Sequence, residues 1–250
     1  MKYKALLLDI DGTIVLKGFT NLPSEKVKKA IQNIQGKVKI CLATSRTLNY
    51  ADPIIQAIGG VDLCVLNGGA ILFDLHTRKI LEACYLPENT VKRILQDNND
   101  LRDRTILTTT LEDKTLKQSY DPAAVTGFLY IQLTTSEVER VTERLKKVDG
   151  ISFHILTQTF DNMPVVVVTD VGGTKQQAIE HVIKILQVNP DEIVAVGDGE
   201  NDIPMILAAG MGVAMGNAAD GLKSIADYIA PSVQEDGVAH VIEKFFPNQQ

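Results

Sequence analysis

Acidic side chains occur at two places in this chain where they could act together. Asp9 and Asp11 come first, followed at once by Gly12 and Thr13. The second place is residues 197–202, Gly-Asp-Gly-Glu-Asn-Asp, which include Asp198 and Asp202. Carboxylates brought close together can share a divalent cation, which prefers hard oxygen ligands. Each cluster follows a short apolar run, Ala-Leu-Leu-Leu at 5–8 and Ile-Val-Ala-Val at 193–196. Runs of that length suit central strands of a parallel sheet, buried on both faces. Acids directly after them would lie at the carboxyl edge of the sheet, where open α/β proteins bind ligands. Singly, each cluster reads equally well as solvated acids in a turn, because turns favour Asp. Together, at two strand ends, they can meet.

An anionic substrate would be repelled by such a site unless a metal and a lysine reversed the local field. Lys175, after Gly172, Gly173 and Thr174 at the start of an apolar helical face, is the candidate lysine. The net charge of −6 and the lack of a basic stripe argue against nucleic acid as a partner. With 45% hydrophobic and 22% charged residues the composition is that of an ordinary soluble globular protein. Apolar runs are too short to span a bilayer, so no membrane role is expected. No secretory signal is visible at the N-terminus, and three cysteines make no disulfide framework. Cys41 and Cys64 read as small core residues, and the expected compartment is cytoplasmic. The histidines at 76, 154, 181 and 240 show no ligand spacing and are expected at the surface or in packing.

The elements that must position these residues follow from periodicity. After a loop at 18–21, Val27, Ala30, Ile31 and Ile34 mark one buried helix face. A strand at 38–43 ends in Thr44-Ser45-Arg46, and Leu48, Ala51, Ile55 and Ile58 predict a helix that Pro53 delays or kinks. A third strand at 63–66 ends in Asn67-Gly68-Gly69. This β-α-β-α-β order calls for right-handed parallel crossovers. The pattern then breaks into short strands, a helix at 88–96, a polar loop at 97–104, and strands at 105–110, 128–134, 152–157 and 164–169. Ser136 and Glu139 fit a capping box for the helix between them. From Thr174 the alternation resumes, with strands at 212–215 and 228–230 and a last helix capped by Asp236. The expected fold class is α/β, a Rossmann-like parallel sheet core (1–81 and 169–250) with an inserted α+β cap domain (82–168).

At this point the chain resembles the haloacid dehalogenase-type phosphatases, and more narrowly their Cof-like group. The resemblance rests on DIDGT at Asp9, ATSR at Ala43, GGTK ending at Lys175 and GDGEND at Gly197. AMGNA at Ala214 and EDGVA at Glu235 match more softly. The resemblance implies that Asp9 is a nucleophile forming an acyl-phosphate and that Asp11 serves as general acid and base. It implies Mg2+ held by Asp9, the backbone carbonyl of Asp11, and Asp198. Thr44, Ser45, Lys175 and Asn201 would bind phosphate, and Asp202 would orient Lys175 or metal-bound water. The family usually has Gly where this chain has Ser45, which either narrows the loop or adds a hydroxyl donor. The expected partner is a small phosphorylated metabolite, a sugar phosphate or phosphoglycolate. A phosphomutase or a phospho-ligand sensor without turnover are the alternatives. Specificity would lie in the insert, which no motif marks, and the oligomeric state is not readable.

Overall fold

The computed structural model describes residues 2–18, 21–157 and 163–247. The expected loop at 18–21 therefore falls partly outside the described residues. The larger sheet is seeded by β1 (Ala5–Leu8), whose side chains are all 0–1% exposed. Then come α1 (Glu25–Ile34), β2 (Lys39–Ala43), α2 (Leu48–Ile58), β3 (Leu63–Leu66), β4 (Ile71–Asp74) and β5 (Lys79–Ala83). The middle of the chain holds α3 (Glu88–Asp97), β6 (Thr105–Thr109), β7 (Asp113–Thr115), β8 (Val125–Tyr130), α4 (Thr135–Leu145), β9 (Ile151–Thr157) and β10 (Pro164–Asp170). The last part contains α5 (Lys175–Leu186), β11 (Ile193–Gly197), α6 (Ile203–Ala208), β12 (Met211–Ala214), α7 (Asp220–Ile225), β13 (Tyr228–Ile229) and α8 (Gly237–Phe245).

These strands make two sheets. The larger runs β13-β12-β11-β1-β2-β3-β4-β5, parallel from β13 to β3 and antiparallel beyond. The smaller, antiparallel, runs β7-β6-β8-β10-β9. Each has its own apolar core. Val27, Ala30, Ile31 and Ile34 of α1 are buried in the first, as the spacing predicts. Phe128, Tyr130, Val166 and Val168 pack with Val91 and Ile94 of α3 and Val141 and Leu145 of α4 in the second. The chain stays in the larger sheet through Ala83, paired with Ile71, and in the smaller one through Asp170, paired with Ile151.

Several local expectations change. Pro53 does not delay α2, which starts at Leu48 and runs through it to Ile58. The polar stretch at 97–104 is not an open loop: 99–104 turns as a 3-10 helix that buries Leu101. Strand β8 starts at Val125 rather than 128, hydrogen-bonded to β6. The capping box uses Thr134 and Glu137, the same spacing two residues earlier, with the Thr134 backbone N–H donating to Glu137 Oε2 at 2.9 Å. Asp236 does not cap α8 with its side chain; Oδ1 accepts instead from Ser24 Oγ at 2.5 Å. Among the described residues no helix is long and apolar enough to cross a membrane.

Candidate active site

Asp9 follows β1, Thr44 follows β2, Asn67 follows β3 and Asp198 follows β11. All four lie at the carboxyl edge of parallel strands, where the connections to the following elements converge. Lys175 opens α5, a place where the helix dipole disfavours a cation. It is nevertheless 5% exposed and reaches inward. Its Nζ donates to Asp9 Oδ1 at 3.0 Å and to Asp202 Oδ1 at 2.5 Å. Burial would lower its proton affinity, but the Asp202 and Asp9 carboxylates outweigh burial and raise it. Lys175 is a fixed positive charge.

Asp202 Oδ2 accepts from the backbone N–H of Asp198 and of Gly199, each at 3.0 Å. It therefore braces the turn that presents Asp198 while holding the lysine. Burial, reinforced by the negative charge of Asp202, pushes the Asp9 carboxyl well above its ordinary range. Burial likewise raises Asp198, although the Lys17 ammonium, 2.9 Å from Asp198 Oδ2, pulls the other way. Asp9, Asp198 and Asp202 each offer an oxygen within 4.8 Å of the others. An all-oxygen set of buried acids whose negative charge is this costly fits a hard divalent cation. The Asp11 carboxylate is elsewhere, in a two-pronged ion pair with Arg46 at 2.7 and 2.8 Å.

Thr44 is 1% exposed, and its Oγ1 accepts from the Arg46 backbone N–H at 3.1 Å. Ser45 is partly exposed beside it, and Asn201 is partly exposed in the 200–202 turn. Close backbone approach explains Gly12, whose φ is +83°. A Cβ there would lie 2.2 Å from Asp198 Oδ2, so the two acidic loops meet only because Gly12 has no side chain. Gly69 does the same for the lysine: at φ +121° its Cβ would lie 2.1 Å from the Thr174 carbonyl carbon.

Four participants carried no assigned role in the sequence. Arg46 ends the ATSR stretch, and besides Asp11 it donates to the Tyr50 and Gly18 carbonyls at 3.0 and 2.8 Å. Lys17 gives no signal, being one lysine among many before a loop. Asn217, within AMGNA, donates to the Gly12 carbonyl at 2.8 Å and ties the acidic loops to β12. Asn67 is buried at φ +53°, and its Nδ2 donates to the Thr109 carbonyl and to Thr126 Oγ1, both at 2.8 Å. That bond joins the two sheets.

The family model for haloacid dehalogenase-like hydrolases matches residues 6–120 and 96–242. The chain belongs to this family. Phosphoglycolate phosphatase of Methanopyrus kandleri is 28% identical over 96% of this chain and 95% of its own. The 5-amino-6-(5-phospho-D-ribitylamino)uracil phosphatase of Bacillus subtilis is 27% identical, covering 96% and 94%. A haloacid dehalogenase-like hydrolase from Bacteroides thetaiotaomicron has the same fold, with a TM-score of 0.82 at 24% identity over 98% of this chain and 100% of that one. The resemblance read from the motifs is borne out for the family and for the α/β fold class, and the full-length relatives named here are phosphatases.

Asp113 lies where the smaller sheet meets this edge. Burial pushes its carboxyl up to about 6, with the Thr47 hydroxyl beside it opposing the shift. An unfolded Asp titrates near 3.9. Between these values the folded state holds more protons, so stability falls as pH rises through the window, and the full loss persists above 6. Asp113→Asn is therefore expected to stabilise the protein at pH 7.5 by about 2–3 kcal/mol, a gain that shrinks toward pH 4. Urea unfolding at the two pH values checks this; an equal gain at both would remove Asp113 as the titrating group.

Proposed function

We propose that this chain is a Mg2+-dependent phosphatase of small phosphorylated metabolites, working through a phosphorylated Asp9. The observation that carries the reading is Lys175, held between Asp9 and Asp202 with Asp198 alongside. A nucleophilic carboxylate that must approach a phosphate dianion needs compensating positive charge on both sides. Lys175 supplies it from within the protein. Asp9 and Asp198, with the Asp11 backbone carbonyl, would hold Mg2+, which when bound neutralises charge on the transferring phosphoryl group.

In this reading Asp9 attacks phosphorus and the leaving alcohol departs, splitting hydrolysis into two displacements. Thr44 Oγ1 already accepts from Arg46, so its proton remains to donate to a phosphoryl oxygen, with Ser45 and Asn201 as further donors. Asp11, within reach of Arg46, would take a proton from the water that attacks phospho-Asp9. To protonate the leaving alcohol in the first step Asp11 must enter that step protonated and turned away from the guanidinium, and it regains the proton from the attacking water in the second. The smaller sheet would act as the cap, closing over the site to exclude water.

The two curated relatives differ in what their names say they act on, one a phosphoglycolate and the other a phosphorylated ribitylamino compound. Either class is compatible with the core residues above. The test is phosphate release from an aryl phosphate and a metabolite panel at neutral pH, with and without a chelator. Activity is expected with Mg2+ and is expected to be lost on chelation and restored by added Mg2+. Undiminished turnover in chelator would defeat the metal assignment.

A further inference from the structure

Two ammonium groups serve the acids at the core edge, and they are held in different ways. Lys175 is 5% exposed and bonded to both Asp9 and Asp202. It cannot leave without stranding two buried carboxylates. Lys17 lies 2.9 Å from Asp198 Oδ2, and its side chain is 44% exposed. Its long stem lets the charged end swing out to water.

The turn after Asp11 brings Lys17 to this place. The Gly12 N–H donates to the Val15 carbonyl at 2.7 Å, and the Ile14 and Val15 N–H groups donate to the Ile10 carbonyl at 2.9 and 3.1 Å. The chain doubles back over Gly12, where an added Cβ would lie 2.2 Å from Asp198 Oδ2 and 2.7 Å from Lys17 Cε. Carboxylate and lysine stem thus meet over the same bare stretch of backbone. Beyond the turn the Lys17 carbonyl accepts from Asn21 Nδ2 at 3.2 Å, and the Gly18 carbonyl accepts from the Arg46 guanidinium at 2.8 Å. The backbone of Lys17 is pinned while its ammonium rests on a partly exposed ion pair.

Asp198 is also one of the three acids whose oxygens lie within 4.8 Å of one another. Counted as ionised, Asp9, Asp198 and Asp202 against the ammoniums of Lys175 and Lys17 leave one negative charge. A divalent cation in place of Lys17 leaves none. If the ammonium stays, an arriving cation meets a ligand whose charge is already countered and a like charge beside it. A tethered group competes at an effective concentration fixed by its tether, not by the solution.

We infer that Lys17 is a tethered competitor for the divalent cation: it holds Asp198 until the metal displaces it, and so sets the metal affinity of the site. This rests on the Mg2+ reading above. The acidic loops then keep a counter-charge at low Mg2+ and stay assembled, while the ammonium weakens their hold on the metal.

Calorimetry of Mg2+ binding to the full chain tests this, with the unfolding midpoint in chelator as a second reading. Lys17→Met keeps the stem and removes the charge. It is expected to bind Mg2+ about tenfold more tightly than the wild type and to unfold at a lower midpoint in chelator. Lys17→Gln should rank with it, and Lys17→Arg, which keeps the charge, should bind Mg2+ no more tightly than the wild type. Equal or weaker Mg2+ binding by both neutral variants overturns the inference; weaker binding would make the lysine a brace that orients Asp198 as a ligand. Asp198→Asn separates this from the metal reading, because it is expected to lose Mg2+ binding. Wild-type affinity in Asp198→Asn would take the metal site away from Asp198, and the competition with it. Lost binding there, with Lys17→Met and Lys17→Gln unchanged, would remove only the role of Lys17.

Discussion

Asp9→Asn is expected to lower phosphate release by about 10^4-fold or more, the scale seen when a nucleophile is removed from a concerted site. The amide is nearly isosteric with the carboxylate, but its lone pairs are too weakly nucleophilic to form the acyl-phosphate. The fold is expected to survive. Asp9 is buried beside Asp202, and burial with that like charge makes its ionised form costly. Removing the charge relieves repulsion while Lys175 keeps Asp202 as its partner. The unfolding midpoint should accordingly stay at or above that of the wild type. Phosphate release and thermal unfolding on one preparation, with deamidation excluded by mass spectrometry, make the check. Turnover at the wild-type rate would show that Asp9 is not the nucleophile.

Lys175→Met is expected to damage both activity and fold. The thioether can fill the space of the aliphatic stem, but Asp9 and Asp202 are left buried with no cation between them. Removing one partner of a buried ion pair costs on the order of 3–5 kcal/mol. Asp202 has little freedom to relieve this, because its second oxygen accepts from the Asp198 and Gly199 backbone. The double variant Lys175→Met/Asp202→Asn should recover at least half of the lost stability and none of the activity. Urea unfolding with parallel phosphate-release assays separates the two effects. A single variant that unfolds like the wild type would mean that the lysine is not the counter-charge of the site.

The residues at the core edge were legible because each sits at a fixed offset from a strongly apolar strand. Ala5–Leu8 places Asp9 and Ile193–Gly197 places Asp198 whatever the rest of the chain does. Lys175 follows from the electrostatic demand that acids make on an anion site. Arg46 was quoted within its motif yet carries a partner, Asp11, that lies 35 residues away, and no local spacing encodes that pairing. Lys17 is indistinguishable in sequence from a solvated lysine until the Gly12 turn carries it back to Asp198. The smaller sheet and its helices were least legible. Thr134 and Ser136 both precede a Glu by three residues, and only the strand end decides which of them caps α4. Asp113 drew no reading from the sequence, since nothing in its own stretch signals that it will be buried with Thr47 beside it.

The place of β1 in the larger sheet has a consequence for how the protein is made. Strand β1 is interior, paired on one side with β2 and on the other with β11, and Ile193 lies 188 residues after its partner Ala5. During synthesis at about 5–20 residues per second, one edge of β1 waits unpaired for roughly 10–40 s. An apolar strand with a free edge is the kind of surface that recruits a second chain. The smaller sheet has no such delay, since its strands all fall between Thr105 and Asp170 and can close while β11 is still unmade. A nascent chain thus carries a finished insert beside a half-built sheet, and it cannot assemble Asp9, Lys175 and Asp198 until β11 docks. Aggregation during expression is expected to originate at the 5–8 edge, and a holdase that covers it should raise the yield of folded protein more than one acting on the insert.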